Sequence, residues 1–232
     1  SFPGSSSGSL ASRLAHTFVT EVVDNATHGI DLHTGAVHRS NLPQVRACLD
    51  DPETSRLAHA FGVHVLVNAN VRDGSLRQEG FERKIPMLLY EGGEALRFDP
   101  GAIKAGVRGV LSVMRALEML PASKGSGKRP EPFVARSSHW VRAPRAGLLR
   151  TKATLGSWVE SGERLGMIAD PLGAEEARVV ASHEGILIGR TELPIVNEGD
   201  ALFHIATFDE PADVSASLEI FQDRLLGESE KK

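Results

Sequence analysis

The spacing of apolar residues in the first half of the chain predicts alternating helices and strands. Apolar residues recur every four positions from Leu10 to Val22, which predicts a helix over residues 9–25 with Ser9 as its N-cap. Further patterns predict strands at 28–33, 63–67 and 85–90 and helices at 53–61, 76–84 and 99–120. The stretch containing Arg39, Asn41 and Pro43 is predicted to be a loop. Such alternation favours a mostly parallel sheet covered by helices.

The pattern changes after a polar stretch rich in glycine and proline at residues 123–132. Strand-length apolar runs separated by glycines follow it, and no convincing helix begins before about Val214. This part contains an internal repeat, because residues 143–149 resemble 181–187 and residues 158–165 resemble 195–202. Two similar all-β halves predict a small barrel or sandwich.

These patterns predict an α/β fold with a mostly parallel, mixed sheet flanked by helices, plus a small all-β barrel-sandwich domain. The expected boundaries are an α/β domain at 1–122, a linker at 123–132, the β domain at 133–208 and a tail at 209–232. The β domain resembles the biotinyl and lipoyl carrier domains, in which a lysine between the halves carries the cofactor. No lysine lies between Lys152 and Lys231, so the hairpin expected near 170–176 cannot be a swinging arm of that kind.

Composition and charge exclude several classes of function. The net charge of −4 and the pI of about 6.1 argue against a nucleic-acid partner. Cys48 is the only cysteine, so no intrachain disulfide can form, which suits a reducing compartment. No apolar run approaches the roughly 18–20 residues of a membrane span, and the first residues do not resemble a signal peptide. We therefore expect a cytoplasmic protein without a membrane partner.

Two apolar runs end in polar residues that are followed by glycine, and these are the best candidates for chemistry. His33 ends the run that begins near Gly29, and Glu91 follows the run Met87–Tyr90. Residues at the carboxyl ends of parallel strands lie where α/β sheets bind ligands. A neutral histidine is a natural metal ligand, and a glutamate is a natural general base for hydrolysis. Glycines 92 and 93 are expected to leave space for a ligand.

The other candidates are weaker. Glu94 competes with Glu91, His38 lies in the loop after the key strand, and Asp31 shares the side of the strand that carries His33. No histidine is followed by glutamate three positions later, so the sequence supplies one convincing metal ligand where a catalytic zinc needs about three. Cys48 is expected in a helix-like or loop segment without a local activator. The remaining histidines are interpreted as surface or core residues.

At these residues the chain resembles the succinylglutamate desuccinylase/aspartoacylase family, a branch of the zinc-carboxypeptidase-like fold. Asp31-Leu32-His33-Thr34-Gly35 is similar to the motif of the family's third zinc ligand, and residues 39–43 are similar to the loop after it. Glu91 matches the family's catalytic glutamate. The resemblance implies His33 as a zinc ligand, Glu91 as the catalytic residue, and Thr34, Arg39, Asn41 and Glu94 as substrate-binding residues.

The resemblance fails at the start of the chain. Family members carry a His-x-x-Glu ligand pair and then an Asn-Arg pair shortly before a Phe-Pro-Gly segment, and this chain opens at Ser1-Phe2-Pro3-Gly4. We therefore expect two zinc ligands and the clamp for the substrate carboxylate to lie upstream of Ser1. On this interpretation the chain is a fragment of a longer protein or a disabled enzyme.

The resemblance implies an amidohydrolase that removes the acyl group of a small N-acyl amino acid, such as an N-acetyl-diamino acid or an N-succinyl amino acid. It implies one Zn²⁺ per subunit in the complete protein. Self-association through the short edges of the barrel is a further expectation. Two alternatives stay open, a degenerate binding or scaffold protein and a carboxypeptidase-type peptidase.

Overall fold

The computed structural model of the chain describes residues 2–71, 74–122, 131–173, 176–209 and 214. The chain forms two compact units. The first comprises Ser1–His33, Pro43–Gly92 and Pro100–Pro132, and the second comprises Thr34–Leu42, Gly93–Asp99 and Phe133–Lys232. The units therefore differ from the contiguous domains expected at 1–122 and 133–208, because two short segments of the α/β sequence cluster with the β-rich unit.

The helices in the described part of the first unit are those that the sequence predicts; three are shorter than predicted, and α2 begins one residue earlier. They are α1 (Leu10–Glu21), α2 (Pro52–Phe61), α3 (Leu76–Glu82) and α4 (Pro100–Ala116), with a 3₁₀ turn at Val23–Asn25. Side-chain caps fix the starts of three of them. The acceptors are Ser9 for the amide of Ser12, Asp51 for that of Thr54 and Ser75 for that of Gln78.

Four strands belong wholly or partly to the first unit: β1 (Gly29–Gly35), β2 (Arg39–Ala47), β3 (Val65–Asn68) and β4 (Met87–Glu94). Strand β4 lies between β1 and β2, and β3 pairs in parallel with β2 from Gln44 onward. The amide of Gly29 donates to Pro86 and the amide of Ala95 donates to Gly35, so β1 and β4 also run in the same direction. The prediction of a mixed sheet flanked by helices is confirmed.

The loop predicted around Arg39, Asn41 and Pro43 is wrong, because these residues belong to strand β2. Proline has no N–H to donate within a sheet. Here Pro43 falls between residues 39–41, which pair with a strand of the second unit, and residues 44–47, which pair with β3. The strand can therefore accommodate proline. Cys48 directly follows this strand and belongs to neither a helix nor a strand, so of the two settings expected for it the loop is correct and the helix is wrong.

Three expectations about neighbouring strands need correction. Strand β1 is not buried, since Leu32, His33 and Thr34 are exposed, and it continues to Gly35. Strand β4 continues to Glu94, so Glu91 lies inside the strand and not at its end. His64 precedes β3 instead of lying within it. Both key residues therefore project from the surface of a sheet, not from a turn at its edge.

One face of the first unit's sheet packs against helices α2 and α4. Tyr90 of β4 stacks on Phe61 of α2 with ring centroids 5.3 Å apart, and its hydroxyl donates to the carbonyl of Ala102 at 2.6 Å. Leu88 of the same strand is 1% exposed. Because successive side chains of a strand alternate between faces, Glu91 projects from the opposite face.

The second unit is all-β over its described residues from 133 to 209. Its strands are β5 (Phe133–Ala135), β6 (Ser137–Arg142), β7 (Gly147–Thr151), β8 (Trp158–Val159), β9 (Arg164–Ala169), β10 (Glu176–Val180), β11 (Gly185–Thr191), β12 (Ile195–Val196) and β13 (Ala201–Thr207). One sheet contains β11, β13 and β6 in that order, and a second has the order β10-β9-β7-β12. Strands β9 and β10 form the expected hairpin near 170–176, of which residues 174–175 lie outside the described part.

The internal repeat is present in three dimensions, because β7, β8 and β9 correspond to β11, β12 and β13 at offsets of 38, 37 and 37 positions. The amide of Ala143 donates to Asp200, and the amide of Ala181, its counterpart, donates to Glu163. The amides of Gly199 and Gly162 close the same two turns by donating to Ala143 and Ala181. Each half thus completes its turn with backbone groups of the other half.

Two predicted segments lie largely outside the described residues. They are the linker, of which 123–130 are not described, and the tail, of which only Asp209 and Val214 are described. Among the described residues, no helix is both long enough and apolar enough to cross a bilayer.

Candidate functional site

His33 lies beside Asp31 on strand β1 of the first unit. The Nε2 atom of His33 is 3.1 Å from Oδ1 of Asp31, and the side chains are 50% and 24% exposed. The alternation of side chains along a strand places residues two apart on one face, which explains the pairing and agrees with the position expected for Asp31. A carboxylate in this place orients an imidazole and fixes its tautomer, as it does for metal-binding histidines.

Glu91 faces a half-buried arginine. Its Oε1 atom is 3.9 Å from Nε of Arg46, and both side chains are less than one-fifth exposed. Burial lowers the pKa of Arg46 and the negative charge of Glu91 opposes that shift, so the guanidinium remains charged at neutral pH. A fixed positive charge therefore stands beside the carboxylate that the sequence predicts to be catalytic.

Arg77, in the first turn of α3, brings these groups into one cluster. Burial lowers the pKa of Arg77 and the nearby charge of Arg46 lowers it further, while Cys48, Glu91 and Asp31 act in the opposite direction. Its Nη1 atom also donates to the carbonyl of Ala69 at 3.3 Å. Arg77 is thus within electrostatic reach of both candidate carboxylates, and we call Asp31, His33, Arg46, Arg77 and Glu91 the charged cluster.

The charged cluster can bind an anion next to a proton acceptor. Half-buried arginines hold their guanidinium groups in a fixed geometry that suits a carboxylate or a developing oxyanion. Replacing such charges by packed apolar residues is often neutral or stabilising, so their presence is weak evidence for a role in stability. Neither Arg46 nor Arg77 emerged from the sequence. Two local features could have drawn attention to them. Arg46 lies between the apolar residues Val45 and Ala47, and Arg77 follows the helix-capping residue Ser75 by two positions.

The predicted substrate-binding residues lie in the second unit, where the structure shows their local contacts. The hydroxyl of Thr34 donates to the carbonyl of Gly35 at 2.9 Å. Arg39 lies over the ring of Trp140, 4.6 Å from its centroid. Asn41 pairs with Gly189 of β11. A substrate-binding role for these residues stays a prediction.

Glu94, the fourth of these residues, has a local structural contact as well. Its Oε1 atom accepts from the amide of His38 at 3.1 Å, and its Oε2 atom is 3.1 Å from Nε of Arg97. His38 has a φ of 60°, an unusual conformation for a residue other than glycine. Glu94 therefore stabilises the turn that contains His38. Contact of His38 with a substrate or metal stays a prediction.

Gly92, the first glycine after Glu91, has a different role from the one expected. A Cβ atom on Gly92 would lie 2.6 Å from the hydroxyl oxygen of Tyr90 and 3.2 Å from Cβ of Ala102. Gly92 is thus on the packed face of β4 and permits the close approach of helix α4. The expectation that this residue leaves space for a ligand is wrong.

The described residues do not by themselves complete a zinc site. They contain no group of three or more histidine, cysteine, aspartate or glutamate side chains arranged to hold a metal ion. A half-exposed imidazole oriented by a carboxylate suits one ligand, but a catalytic zinc takes about three protein ligands. The donor set of the described chain therefore fits a part of such a site and not the whole.

The architecture and the cluster together define a class of protein. The chain combines a mixed α/β sheet that has one charged face with a β-rich part made of two similar halves. The sequence profile of the succinylglutamate desuccinylase/aspartoacylase catalytic domain matches residues 1–117. The chain belongs to the succinylglutamate desuccinylase/aspartoacylase family, as the sequence resemblance predicts.

Similar proteins agree with this assignment. The N-alpha-acetyl-L-2,4-diaminobutyric acid deacetylase of Halomonas elongata is 25% identical over 218 residues, which are 89% of this chain and 64% of that protein. The chain therefore spans less than two-thirds of this relative's length.

Solved structures show the same fold. The ectoine utilization protein EutE from Ruegeria pomeroyi matches with a TM-score of 0.78 at 19% identity, over 89% of this chain and 68% of that one. A succinylglutamate desuccinylase/aspartoacylase from Rhodobacter sphaeroides matches with a TM-score of 0.79 at 23% identity, over 90% and 66%.

Proposed function

We propose that this protein hydrolyses the amide bond of a small N-acyl amino acid. The observation that carries the proposal is the Arg46–Glu91 pair, with Arg77 nearby, on the charged face of a unit that belongs to a desuccinylase and aspartoacylase family. A carboxylate beside fixed cations suits the attack of water on an amide. The location in the cytoplasm stays a prediction.

Each residue of the charged cluster has a proposed role. Glu91 accepts the proton of the attacking water and passes it to the departing amine. Arg46 places a positive charge 3.9 Å from the Glu91 carboxylate. Arg77 attracts the negative charge of the substrate, because a guanidinium can bind a carboxylate with two parallel hydrogen bonds.

We propose zinc as the cofactor, with His33 as one ligand. Zinc would supply a Lewis acid that polarises the amide carbonyl and activates water. Asp31 would hold the imidazole of His33 in the orientation that the metal requires, from its position 3.1 Å away. The remaining ligands would have to come from outside the described residues.

The relative from Halomonas elongata supports a more specific substrate. Its name describes removal of an acetyl group from the α-amino group of 2,4-diaminobutyrate. We propose an N-acetyl-diamino acid as the first substrate to test and an N-succinyl amino acid as the second. Possible self-association and the absence of nucleic-acid and membrane partners stay predictions.

The test of the catalytic role is the variant Glu91→Gln. It keeps the size of the side chain and removes the proton acceptor, so we expect kcat on an N-acyl amino acid to fall by about 10²- to 10⁴-fold. Zinc content should not change. Glu53→Gln, on the exposed side of α2, is the matched control and should keep its activity. A normal kcat in Glu91→Gln would refute the assignment.

The test of the metal role is His33→Ala, with the zinc content of the purified protein as the readout. We expect loss of zinc in His33→Ala and retention in the control His59→Ala, whose imidazole contacts the carbonyl of Ser55 in the exposed part of α2. Unchanged zinc affinity in His33→Ala would exclude this histidine as a ligand.

Two other functions have distinct signatures. Release of amino acids from unblocked peptides, without action on N-acyl amino acids, would identify a peptidase. A protein that binds neither metal nor N-acyl amino acids would be a scaffold or binding protein.

A further inference from the structure

Four strands of the second unit place a row of side chains on one face of their sheet. Asn41 of β2 lies opposite Gly189 of β11, Gly189 lies opposite His204 of β13, and His204 lies opposite Trp140 of β6. Residues directly opposite one another project from the same face, and Arg39 shares it because it precedes Asn41 by two positions. A Cβ atom on Gly189 would lie 2.9 Å from Oδ1 of Asn41 and 3.2 Å from Cβ of His204. Glycine at this position therefore leaves room for the polar side chains on either side.

This face is the one that points away from the unit's apolar core. Phe203 and Ile205 flank His204 along β13 and belong to that core, so His204 projects from the opposite face. The side chain of His204 is 6% exposed, and its ring stacks on the indole of Trp140 with centroids 4.2 Å apart and planes 13° apart. The indole is therefore held by a buried neighbour on the adjacent strand.

The guanidinium of Arg39 lies against the same indole, 4.6 Å from the centroid of the ring. In the part of the chain that the structure describes, no hydrogen bond or ion pair involves this guanidinium, although the residue is half-buried. Contact with the face of a ring leaves the N–H groups accessible, because they lie in the plane of the guanidinium. The contact with Trp140 also restricts the long side chain, so less conformational entropy is lost when a ligand binds.

Two carboxylates come close to Arg39 along the backbone, and other arginines engage both of them. Glu94 accepts from the amide of His38, the residue before Arg39, and the amide of Glu192 donates to the carbonyl of His38. Each carboxylate pairs with a different arginine, at N–O distances of 3.1 and 2.9 Å. The positive charge of Arg39 therefore remains available to an anion that is not part of the described chain.

We propose that Arg39 binds the carboxylate of a small ligand, and that Trp140 is a positioning residue that holds its guanidinium. A carboxylate suits this donor because its two oxygens match two parallel N–H groups. Two such ligands belong to the deacylase reaction, the N-acyl amino acid with its α-carboxylate and the acylate that hydrolysis releases. The identity of the ligand thus rests on the proposed function, whereas its binding is measured without hydrolysis. The β-rich part of the chain gains a role in ligand binding.

Trp140 can report the binding event itself. The chain has two tryptophans, so the variant Trp158→Phe leaves Trp140 as the only indole. We expect N-acetylglycine to change the fluorescence of this variant saturably, and N-acetylglycinamide, which lacks the carboxylate, to leave it unchanged at equal ionic strength. Adding Arg39→Met should raise the dissociation constant of N-acetylglycine at least about tenfold, since hydrogen bonds to a charged group are lost. Arg150→Met, which removes an exposed arginine of β7, is the matched control and should leave the constant unchanged.

The positioning role is tested at Trp140 by ligand-observed NMR of N-acetylglycine, with Arg39→Met as the blank. Trp140→Ala should raise the dissociation constant about 2- to 5-fold, because the contact between a cation and a ring is lost. Trp140→Phe keeps a ring face and should bind within about twofold of the wild type. The melting temperature of each variant is measured alongside. A lower melting temperature with an unchanged dissociation constant in Trp140→Ala would show a role in packing alone and overturn the positioning role.

The outcomes identify the ligand and separate this inference from the proposed function. Tighter binding of N-acetylglycine than of acetate would assign the site to the N-acyl amino acid, and equal binding would assign it to the released acylate. A response to N-acetylglycinamide, or an unchanged dissociation constant in Arg39→Met, would refute the carboxylate site. Carboxylate binding without hydrolysis of any N-acyl amino acid would support the site and overturn the deacylase proposal. Hydrolysis without any effect of carboxylates on Trp140 would overturn this inference and leave the deacylase function standing.

Discussion

The two units of the chain use their strands in opposite ways. The second unit encloses an apolar cluster in which Phe203, Leu187 and Ile205 are 0% exposed. In the first unit, one face of the sheet is equally apolar, but the other carries Asp31, Arg46 and Glu91. Charged groups on a partly buried sheet face lose favourable hydration, and packing does not compensate for that loss.

This difference separates the parts of the sequence that maintain the fold from those that maintain the proposed site. The described residues of the barrel pack around one apolar core, and folding alone explains their contacts. The charged face of the first unit has no such packing role. Substitutions in the two regions should therefore change different measurements, stability in the first case and activity in the second.

The largest expected effect on stability is that of Phe203→Ala in the barrel. Phe203 is fully buried in the second unit's core, so its truncation should lower the free energy of unfolding by about 3–5 kcal/mol. Phe98→Ala is the control, because that side chain is 94% exposed and its loss should change stability by roughly 0.5 kcal/mol or less. Urea denaturation measures both. A loss below about 1 kcal/mol for Phe203→Ala would show that the barrel core is loosely packed.

A smaller effect of opposite sign is expected from replacing both charges of the Arg46–Glu91 pair. In Arg46→Met with Glu91→Gln no charge remains without its partner, so the free energy of unfolding should stay unchanged or rise, by about 1–4 kcal/mol at most. Deacylase activity should disappear. Urea denaturation and hydrolysis assays measure the two effects separately. A strong loss of stability would mean that the pair maintains the fold, and the contrast between the units would fail.

The smallest effect is a pH dependence from His64, just before β3. Burial lowers the pKa of His64 below its ordinary value of 6.5, so the folded state binds a proton less readily than the unfolded state does. The stabilising contribution is complete above about pH 6.5 and is lost as the pH falls through the lowered pKa. His64→Gln should be less sensitive to acid between about pH 7.5 and 5.5 in urea titrations. An identical pH slope in wild type and variant would contradict this.

The elements with regular apolar spacing could be predicted from the sequence, and the strand that carries Arg46 could not. Apolar spacing located α1 correctly, although the spaced residues Leu10, Leu14, Phe18 and Val22 are exposed and the helix buries Ala15 and Val19 instead. Strand β2 combines Asn41, Pro43 and Arg46, which individually favour loops. Its identity depends on pairing with neighbours distant in sequence, and local pattern does not contain that information.

The candidate site was predictable only in part for the same reason. His33 and Glu91 each follow an apolar run, and a family motif surrounds them. Arg46 and Arg77 join the cluster because β2 and the start of α3 come next to β4 in space. The sequence places these residues 31 positions apart, and nothing local marks them as neighbours.

The reciprocal backbone bonds of the barrel have a consequence for its ancestry. The turn at Ala143 closes on Asp200 and Gly199, and the turn at Ala181 closes on Glu163 and Gly162. A peptide containing only one half could form these hydrogen bonds only with a second copy of itself. A two-fold homodimer of such a peptide would satisfy every one of these bonds. Gene duplication and fusion of such a dimer is the simplest history for this unit, and its single chain preserves the former subunit contact as an internal one.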